Sequence, residues 1–312
     1  MKPYVFTFTP SPTLDLGGIV EQIKPNEKSY VHDQTKSPGG NGVNAARILT
    51  RLRIPTVASG FIGGSVGEEI KFLLNQENVK NEFVSIKGHS RICVAVSNRK
   101  DHQQTRLTFP GPEILSSEKL TLFKLIEKNN GIEILIIGGS LPDGFRISDV
   151  KKIMRISQKR NIPCIVDCPG KILRELLLER PHFIKPNLAE FHEITDSKVK
   201  SIRSVHWKAK KLLTKVPYVC ISSVEGGALL VTKNGAYFGR IPRVKVKSTV
   251  GAGDSMVGAM AAQFFLKNKS DHDILRWGLA AAAATLSHPG TAFGTGQEIQ
   301  NLYKKTRVES LR

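Results

Sequence analysis

Strand-like and helix-like patterns alternate along most of the chain, and this alternation restricts the fold more than any other feature. The strand pattern of Thr56–Phe61 is followed by a helical pattern over Val66–Asn75. The continuous apolar run Ile132–Ile137, typical of a strand buried on both faces, precedes a helical pattern over Ser148–Lys159. Repeated units of this kind predict an α/β fold with a mostly parallel sheet and helices on both of its faces.

Two regions interrupt the alternation. Strand-like pieces within residues 14–35 and 92–109 follow one another without intervening helices. They predict a small separate sheet, a lid, formed by about residues 12–38 and 89–110. Because no internal repeat, low-complexity segment or linker divides the rest, we expect one domain over residues 1–312.

The chain is strongly basic, with 46 Lys and Arg against 27 Asp and Glu, a net charge of +19. Such an excess indicates an anionic partner: nucleic acid, an acidic membrane or a phosphorylated small molecule. The charge is dispersed, however, and only 7% of the residues are aromatic. We therefore attribute most of it to solvated surfaces and expect no nucleic-acid partner and no membrane partner.

Two further features concern the compartment. No apolar run reaches the roughly 20 residues of a membrane-spanning helix, and the first residues do not resemble a signal peptide, so we expect a cytoplasmic protein. The four cysteines, at positions 93, 164, 168 and 220, do not have the spacing of a zinc site. They are expected to be reduced, buried thiols.

The most informative motif is STVGAGDS at residues 248–255, between a predicted edge strand (Val244–Val246) and an apolar helix (Met256–Leu266). Glycines at this spacing let several backbone N–H groups point at one spot at a helix N-terminus, which favours bound anions. This arrangement is suited to a phosphoryl group in transfer, and Asp254 could accept the proton of an attacking hydroxyl. The alternative is that Asp254 only caps the helix and the glycines only form a turn.

A second glycine motif, GGNGVNAA at residues 39–46, also precedes a helix. It fits the dinucleotide fingerprint GxGxxA, but the preceding residues 33–38 are polar where that fingerprint requires a buried strand. A nicotinamide site is therefore not expected. The backbone amides and the Asn44 side chain are better suited to the hydroxyls of a polar ligand.

Two more segments are candidates for ligand binding. In KPNLAE (185–190), Glu190 follows Asn187 by three residues, which predicts either a helix cap or a carboxylate near a magnesium–phosphate cluster, acting through water. GGSLPDG (138–144) follows the strand Ile132–Ile137, at the edge where α/β sheets bind ligands. It does not match GxSxG, so a hydrolase elbow is not expected, and P-loop, protein-kinase and HExxH motifs are also missing from the sequence.

Taken in order, these segments resemble the PfkB family of sugar kinases, and the resemblance runs along nearly the whole chain. It implies the ribokinase-like fold, a three-layer α/β/α arrangement with a mostly parallel sheet and a small β lid. Within the family, STVGAGDSMVGAM, GGSLPDG and KPNLAE are most similar to the 6-phosphofructokinases. Fructose-1-phosphate and tagatose-6-phosphate kinases are near relatives.

The resemblance also implies roles for individual residues. The catalytic base would be Asp254, beside an anion hole formed by Gly251, Ala252 and Gly253. The sugar phosphate would be bound by Asp15, Gly39, Gly40, Asn41, Asn44, Arg91 and Ser140. ATP would be bound by Lys28, Lys185, Asn187, Glu190, Ser222 and Ser248, with Glu190 reaching Mg²⁺ through water.

Three positions depart from the family pattern. Residue 41 is Asn, where the 6-phosphofructokinases have Gly and the other two kinases usually have Lys, which affects the expected choice of sugar phosphate. The loop 222–227 lacks a common glycine at position 224, where this chain has Val. The segment 287–292 differs near the family's potassium site, which leaves a requirement for a monovalent cation open.

The resemblance thus implies an ATP- and Mg²⁺-dependent kinase that phosphorylates fructose 6-phosphate, an enzyme of glycolysis that forms a homodimer through its lid. The alternatives are a fructose-1-phosphate or tagatose-6-phosphate kinase. From another class, the charge allows a nucleic-acid-binding protein without kinase activity.

Overall fold

The computed structural model describes residues 2–101, 103–268 and 270–311. The strands in this part of the chain are β1 (Tyr4–Thr9), β2 (Thr13–Val20), β3 (His32–Gly39), β4 (Thr56–Ile62), β5 (Val84–Ser85), β6 (Arg91–Asn98), β7 (Gln104–Thr108), β8 (Ile132–Gly138), β9 (Cys164–Asp167), β10 (Phe183–Ile184), β11 (Tyr218–Val224), β12 (Gly227–Thr232), β13 (Gly235–Arg240) and β14 (Val308–Leu311). The α-helices are α1 (Asn41–Arg51), α2 (Gly64–Gln76), α3 (Ser116–Lys128), α4 (Ile147–Lys159), α5 (Gly170–Leu176), α6 (Leu188–Thr195), α7 (Ile202–Leu212), α8 (Ala252–Phe265), α9 (Asp271–Leu286) and α10 (Gly296–Lys305).

The large sheet is mostly parallel, as the alternating patterns predict. Its strand order in the described residues is β14-β13-β12-β11-β10-β9-β8-β1-β4-β5. All pairs from β5 to β11 are parallel, and β12, β13 and β14 are added at one edge in antiparallel pairing. Since the carboxyl ends of the parallel strands lie at one edge of the sheet, the loops that follow them are brought together there.

Helices cover both faces of this sheet, which accounts for the apolar run in β8. Leu135 and Ile137 pack on one face with side chains of α3, α4 and α5. Ile134 and Ile136 alternate with them and pack on the other face with side chains of α1, α8 and α9. The three-layer α/β/α fold is therefore confirmed.

A second sheet forms from the two regions that lack helical patterns. Its strand order is β3-β2-β6-β7, with β2 and β6 parallel and the other pairs antiparallel. This small sheet joins the large one where β2 begins, four residues after the end of β1. The predicted segments, about 12–38 and 89–110, contain nearly all of its four strands.

One predicted strand is wrong. Residues 241–247 have no strand geometry, although an edge strand was expected at Val244–Val246. The edge position beside β13 is taken by β14. The backbone N–H groups of Lys247 and Ser248 instead donate to the carbonyl of Leu286 at the end of α9. The alternation of Val with Arg and Lys in this segment therefore reflects an exposed connection with no strand partner.

Three of the four cysteines have the buried environment that was expected, and Cys93 does not. Cys164, Cys168 and Cys220 are buried, Cys93 is half-buried, and all are free. Burial raises the pKa of Cys164 and of Cys220 to about 12, so neither thiol ionises at neutral pH. Among the described residues, the helices are too short or too polar to cross a bilayer.

Candidate active site

Helix α8 begins at a glycine turn that leaves its first amides free. The N-cap residue is Gly251, with a φ of 76° in the left-handed region that favours glycine. A Cβ at this position would lie 2.6 Å from the ring of Phe293, so space also excludes a side chain. Because a glycine supplies no capping oxygen, the first N–H groups of α8 remain available to an anion.

Asp254 lies in the first turn of α8, and its carboxylate is bonded to a different helix. Its Oδ2 accepts a hydrogen bond of 2.7 Å from Nδ2 of Asn44 on α1. Burial and the negative charge of Asp167 raise the pKa of Asp254 to about 7, while the Asn44 bond acts in the opposite direction. The carboxylate is thus close to the proton affinity that a base needs at neutral pH.

The packing of α1 against α8 brings the two glycine motifs together. Helix α1 also begins at a glycine, Gly40, with a φ of 107°. Gly258 of α8 faces the α1 backbone, where a Cβ would lie 2.8 Å from the carbonyl oxygen of Ala45. This close approach gives Asn44 and Asp254 their hydrogen-bonding distance.

Asp15 on β2 lies against the end of β3. A Cβ on Gly39 would lie 2.2 Å from Oδ2 of Asp15, so this carboxylate occupies the space beside the glycine. Burial raises the pKa of Asp15 to about 6, although the positive charges of Arg47 and Arg106 lower it. A second proton acceptor therefore faces the site from the small sheet.

The sequence motifs did not identify Asp167, which ends β9 beside Lys185. The Lys185 ammonium is buried and lies 3.6 Å from Oδ1 of Asp167. Asn41 donates to Oδ2 of the same carboxylate at 3.1 Å. Burial lowers the pKa of Lys185, but Asp167, Asp254 and Glu190 outweigh it and hold this pKa above its ordinary value. The available signal was an Asp directly after the apolar run Cys164–Val166, at the carboxyl end of a parallel strand.

The KPNLAE segment contains the helix cap that its spacing predicted. Asn187 Oδ1 accepts from the Glu190 amide at 2.9 Å, and Glu190 Oε2 accepts from the Asn187 amide at 2.8 Å. Burial raises the pKa of Glu190, and Asp167 adds to this rise. Since only one Glu190 oxygen is used in the cap, this geometry leaves the second oxygen for a ligand.

Arg91 opens β6 and leaves part of its guanidinium without a protein partner. One nitrogen, Nη2, donates to the carbonyl of Ser11 at 3.2 Å. Within the described residues, Arg91 Nε and Ser11 Oγ are buried and have no hydrogen-bond partner. Buried polar atoms of this kind are costly unless satisfied, so the pair is suited to an oxygen-rich ligand.

The four remaining candidates lie in different surroundings. Ser140 is exposed just beyond β8, and Ser222 of β11 forms a bridge with Asn187. Ser248 is buried, and its hydroxyl accepts from the amide of Val250. Lys28 is exposed in the β2–β3 loop and lines a depression that contains no other predicted site residue.

The loop without the expected glycine turns at other positions. Ser223 has a φ of 62° and Glu225 a φ of 43°, whereas Val224 is fully buried and paired with Gly227. The left-handed residues of this loop are thus Ser223, Glu225 and Gly226, the last with a φ of 76°, and residue 224 is not one of them. The 287–292 segment contacts the small sheet through a hydrogen bond between the hydroxyls of Thr291 and Ser37.

The site contains places for an anion and for a cation. A Cβ on Gly253 would lie 3.1 Å from Lys185 Nζ, so this ammonium and the free α8 amides face the same space, which suits a phosphate. Asp167 and Glu190 offer carboxylate oxygens nearby, the ligands that Mg²⁺ prefers. No group of three or more acidic, His or Cys side chains in residues 2–101, 103–268 and 270–311 forms a closed metal site.

Known structures share this fold over nearly their whole length. Phosphofructokinase-2 from Escherichia coli, crystallised with substrates and products, has a TM-score of 0.92 and 32% identity, covering 97% of this chain and 99% of that one. A putative phosphofructokinase from Staphylococcus aureus has a TM-score of 0.83 and 26% identity, covering 98% and 99%. A possible 1-phosphofructokinase from Thermotoga maritima, at 24% identity and a TM-score of 0.89, covers 99% and 100% and supports the fold alone.

A family match agrees with these structural similarities. Residues 11–297 match the family described as pfkB family carbohydrate kinase. This segment includes both glycine motifs and all the candidate residues named above. The chain therefore belongs to the pfkB family of carbohydrate kinases, which are phosphotransferases.

Proposed function

We propose that this kinase transfers the γ-phosphoryl group of ATP to fructose 6-phosphate and forms fructose 1,6-bisphosphate. The observation that carries the proposal is the position of Asp254 beside the free amides at the start of α8. A base and an anion hole at one point are what transfer to an alcohol requires. The similarity to a phosphofructokinase-2 described in complex with fructose 6-phosphate supports this acceptor.

In the proposed mechanism, Asp254 accepts the proton of the primary hydroxyl as its oxygen attacks phosphorus. The amides of Gly251, Ala252 and Gly253 donate to the oxygens on which negative charge increases. Positioning and electrostatic stabilisation therefore supply most of the catalysis. Bound Mg²⁺ would neutralise part of the phosphate charge, as it does in other kinases.

The nucleotide side would be formed by residues in or just after β9, β10 and β11, together with Ser248 before α8. Lys185, buried and cationic, would bind a phosphate oxygen. Asp167 and Glu190 would hold Mg²⁺ through its water ligands. Asn187, Ser222 and Ser248 would border the nucleotide, the first two being already bridged to each other. Lys28 would reach this side only if the β2–β3 loop moves over the site.

The sugar side would be formed by the small sheet and the start of α1. Asp15, Gly39, Gly40 and Asn44 would bind the sugar hydroxyls. Arg91 would bind the phosphate, because its Nε is buried and unsatisfied within the described residues, and Ser140 would contact the same sugar. In this role the small sheet acts as a lid that excludes water from the reaction.

The small sheet would also form a homodimer. Leu107 of β7 and Phe109 just beyond it are each more than half exposed. All of β7 is exposed, and most of β6 is half-buried. A second copy pairing on this face would cover both apolar side chains.

Formation of fructose 1,6-bisphosphate is a glycolytic reaction, which would place the protein in the cytoplasm.

The proposal is tested by ADP release in a coupled assay with Mg²⁺ and four acceptors: fructose 6-phosphate, fructose 1-phosphate, tagatose 6-phosphate and ribose. We expect the highest kcat/KM with fructose 6-phosphate. A higher kcat/KM with fructose 1-phosphate or tagatose 6-phosphate would identify that sugar phosphate as the acceptor and leave the proposed mechanism unchanged. No turnover with any sugar, together with steeply salt-dependent DNA binding, would support a nucleic-acid-binding protein instead.

A further inference from the structure

Arg47 is a buried cation that the proposed mechanism does not use. It lies one turn after Asn44 on α1, and its side chain is 3% exposed. Its Nη1 donates to Oδ1 of Asn44 at 3.5 Å, a long hydrogen bond. The same Asn44 amide donates through Nδ2 to Asp254 at 2.7 Å. The amide thus lies between a guanidinium and the proposed base.

Four groups from three parts of the fold fix the position of this guanidinium. Glu77, just after α2, accepts two bonds from Arg47, of 2.9 Å from Nε and 2.6 Å from Nη2. The carbonyls of Pro38 and Thr291 accept from Nη1 at 3.0 Å and 3.3 Å. The Phe293 ring lies 4.5 Å from the guanidinium carbon. A guanidinium held in this way cannot turn to follow a change in Asn44.

The two ends of the Asn44 amide therefore have unlike neighbours, which selects one orientation. With Oδ1 toward Arg47 and Nδ2 toward Asp254, both contacts are attractive. A flipped amide would face its oxygen to the carboxylate and its NH₂ to the guanidinium, so both contacts would be repulsive. Asn44 can therefore donate to an ionised Asp254 but cannot turn its oxygen to accept from a protonated one.

We propose that Arg47 is a positioning residue: by fixing the Asn44 amide in its donating orientation, it keeps the Asp254 carboxylate ionised and ready to accept a proton. The inference rests on the proposed role of Asp254 as base. Arg47 has no proposed contact with either substrate, and its effect on Asp254 passes through Asn44.

The other charged groups around Asp254 determine what removal of Arg47 does. Asp167 at the end of β9 and Asp15 on β2 raise the pKa of Asp254, whereas Lys185 after β10 lowers it. Without Arg47 the Asn44 amide can flip, and the pKa of Asp254 rises from its value of about 7. A rise of about one unit would cut the ionised fraction at pH 7 from about one half to about one tenth, a loss of about fivefold in kcat.

The test measures kcat as a function of pH at saturating sugar phosphate, in Arg47→Met and in the matched control Arg51→Met. The quantity compared is the pKa of the acid limb, the range in which kcat falls as the pH is lowered. Arg51 also pairs with Glu77, at 3.1 Å, and lies over Phe293, but its bonds lead to Gly294 and not to Asn44. We expect the limb to move up by about one unit in Arg47→Met and to stay in place in Arg51→Met. The sugar phosphate is kept saturating because Arg47 also lowers the pKa of Asp15, and a change at Asp15 would alter the KM for the sugar phosphate.

A double variant separates action through Asn44 from a direct effect of charge. The double variant Asn44→Ala/Arg47→Met should have the same acid-limb pKa as Asn44→Ala alone. A further upward shift, or equal shifts in Arg47→Met and Arg51→Met, would overturn the inference. If Arg47→Met does not fold, Arg47→Lys replaces it, because an ammonium cannot hold Glu77 with two bonds and reach Asn44 as well. An unmoved limb in folded Arg47→Lys would also overturn the inference.

A second readout does not depend on turnover. The Asp254 carboxyl carbon can be followed by NMR during a pH titration of the free protein, with its signal assigned from Asp254→Asn. The inference requires the same upward shift of the pKa in Arg47→Met. An unshifted titration would overturn it even if the enzyme is active, whereas a shifted titration in a protein inactive on all four sugars would overturn only the proposed function.

Discussion

At the scale of single residues, two carboxylates of this site are held at different proton affinities by their surroundings. Asp254, buried near Asp167, has a pKa of about 7, and Asp15, near Arg47 and Arg106, a pKa of about 6. At neutral pH the first group can exchange a proton readily, while the second is mostly ionised. Position separates their proposed roles: Asp254 lies beside the first amides of α8, which favours it as the base, whereas Asp15 lies on the small sheet, which favours it as a hydrogen-bond acceptor for hydroxyls.

Replacing Asp254 by Asn should keep the fold and nucleotide binding but remove most turnover. The amide has nearly the same shape and cannot accept the proton, so kcat should fall by about 10² to 10⁴. Steady-state kinetics gives kcat, and calorimetric titration with a nucleotide analogue gives binding. A kcat near that of the wild type would assign Asp254 a structural role and remove the base from the mechanism.

Replacing Arg91 by Ala should raise the KM for the sugar phosphate much more than the KM for ATP. The guanidinium has a buried, unsatisfied Nε that a phosphate oxygen can satisfy, and Ala offers no donor. The control is Arg99→Ala, since Arg99 lies just beyond β6 and pairs with the exposed Glu21. If only the KM for ATP changed, Arg91 would belong to the nucleotide side.

Asn41→Lys should shift relative kcat/KM toward fructose 1-phosphate or tagatose 6-phosphate, at some cost to fructose 6-phosphate. Asn41 is neutral and donates to Asp167, whereas Lys would add a positive charge that a differently placed phosphate can use. The measurement is kcat/KM for all three sugars in both proteins. Identical ratios would show that residue 41 does not determine the choice of sugar phosphate.

At the scale of elements, the site depends on two helices that begin at glycines and cross closely. Gly258 of α8 faces both Ala45 and Ile48 of α1, and a Cβ there would lie 3.0 Å from Ile48 Cβ. The interhelical distance is therefore set by a position without a side chain. This distance in turn determines whether Asn44 can reach Asp254.

Gly258→Ala should destabilise the protein by about 1–3 kcal/mol and lower kcat, because the added methyl group meets the α1 backbone and separates the helices. The matched control is Gly278→Ala in α9, whose Cβ would meet mainly the flexible side chain of Met260. Thermal unfolding and kcat are measured for both variants. Equal losses of kcat would mean that the α1–α8 distance has no special effect on the site.

The sequence predicts helices, caps and turns correctly where the residues that determine them are close together in the chain. The helical patterns, the cap between Asn187 and Glu190 and the glycine turn at Gly251 each depend on residues close in the chain. The edge strand at Val244–Val246 was wrong because strand pairing depends on a partner, and β14 occupies that edge. Asp167 was missed for a related reason: its contacts are with Lys185 and Asn41, which belong to other parts of the chain.

Long-range contacts also explain why the sequence could not identify the surroundings of the proposed base, Asp254. The bond from Asn44 to Asp254 joins residues 210 positions apart, and that from Arg47 to the Thr291 carbonyl joins residues 244 apart. Neither pair has a spacing that a motif could record. The motif and the family resemblance both indicated Asp254 as a candidate base, whereas its hydrogen-bond partners required the fold.

At the scale of the whole molecule, the two sheets have different surroundings. The large sheet is covered by helices on both faces, whereas the small sheet has an exposed strand, β7, with Leu107 and Phe109 in solvent. Apolar side chains grouped on one exposed sheet are typical of an interface. Since Arg91 and Asp15 belong to the same small sheet, pairing of two copies would also stiffen the sugar side of the site.

We therefore expect a homodimer that Leu107→Asp converts to a monomer, because a carboxylate would be buried in the shared interface without a partner. Leu266→Asp is the control: Leu266, which follows α8, is exposed to a similar degree, 61% against 55%, but lies away from the small sheet. Sedimentation at micromolar concentration distinguishes the two states. A monomeric wild type, or dissociation caused equally by both substitutions, would contradict a dimer through the small sheet. If the dimer forms as proposed, the Leu107→Asp monomer should also have a higher KM for the sugar phosphate, since the strands that hold Arg91 and Asp15 lose their support.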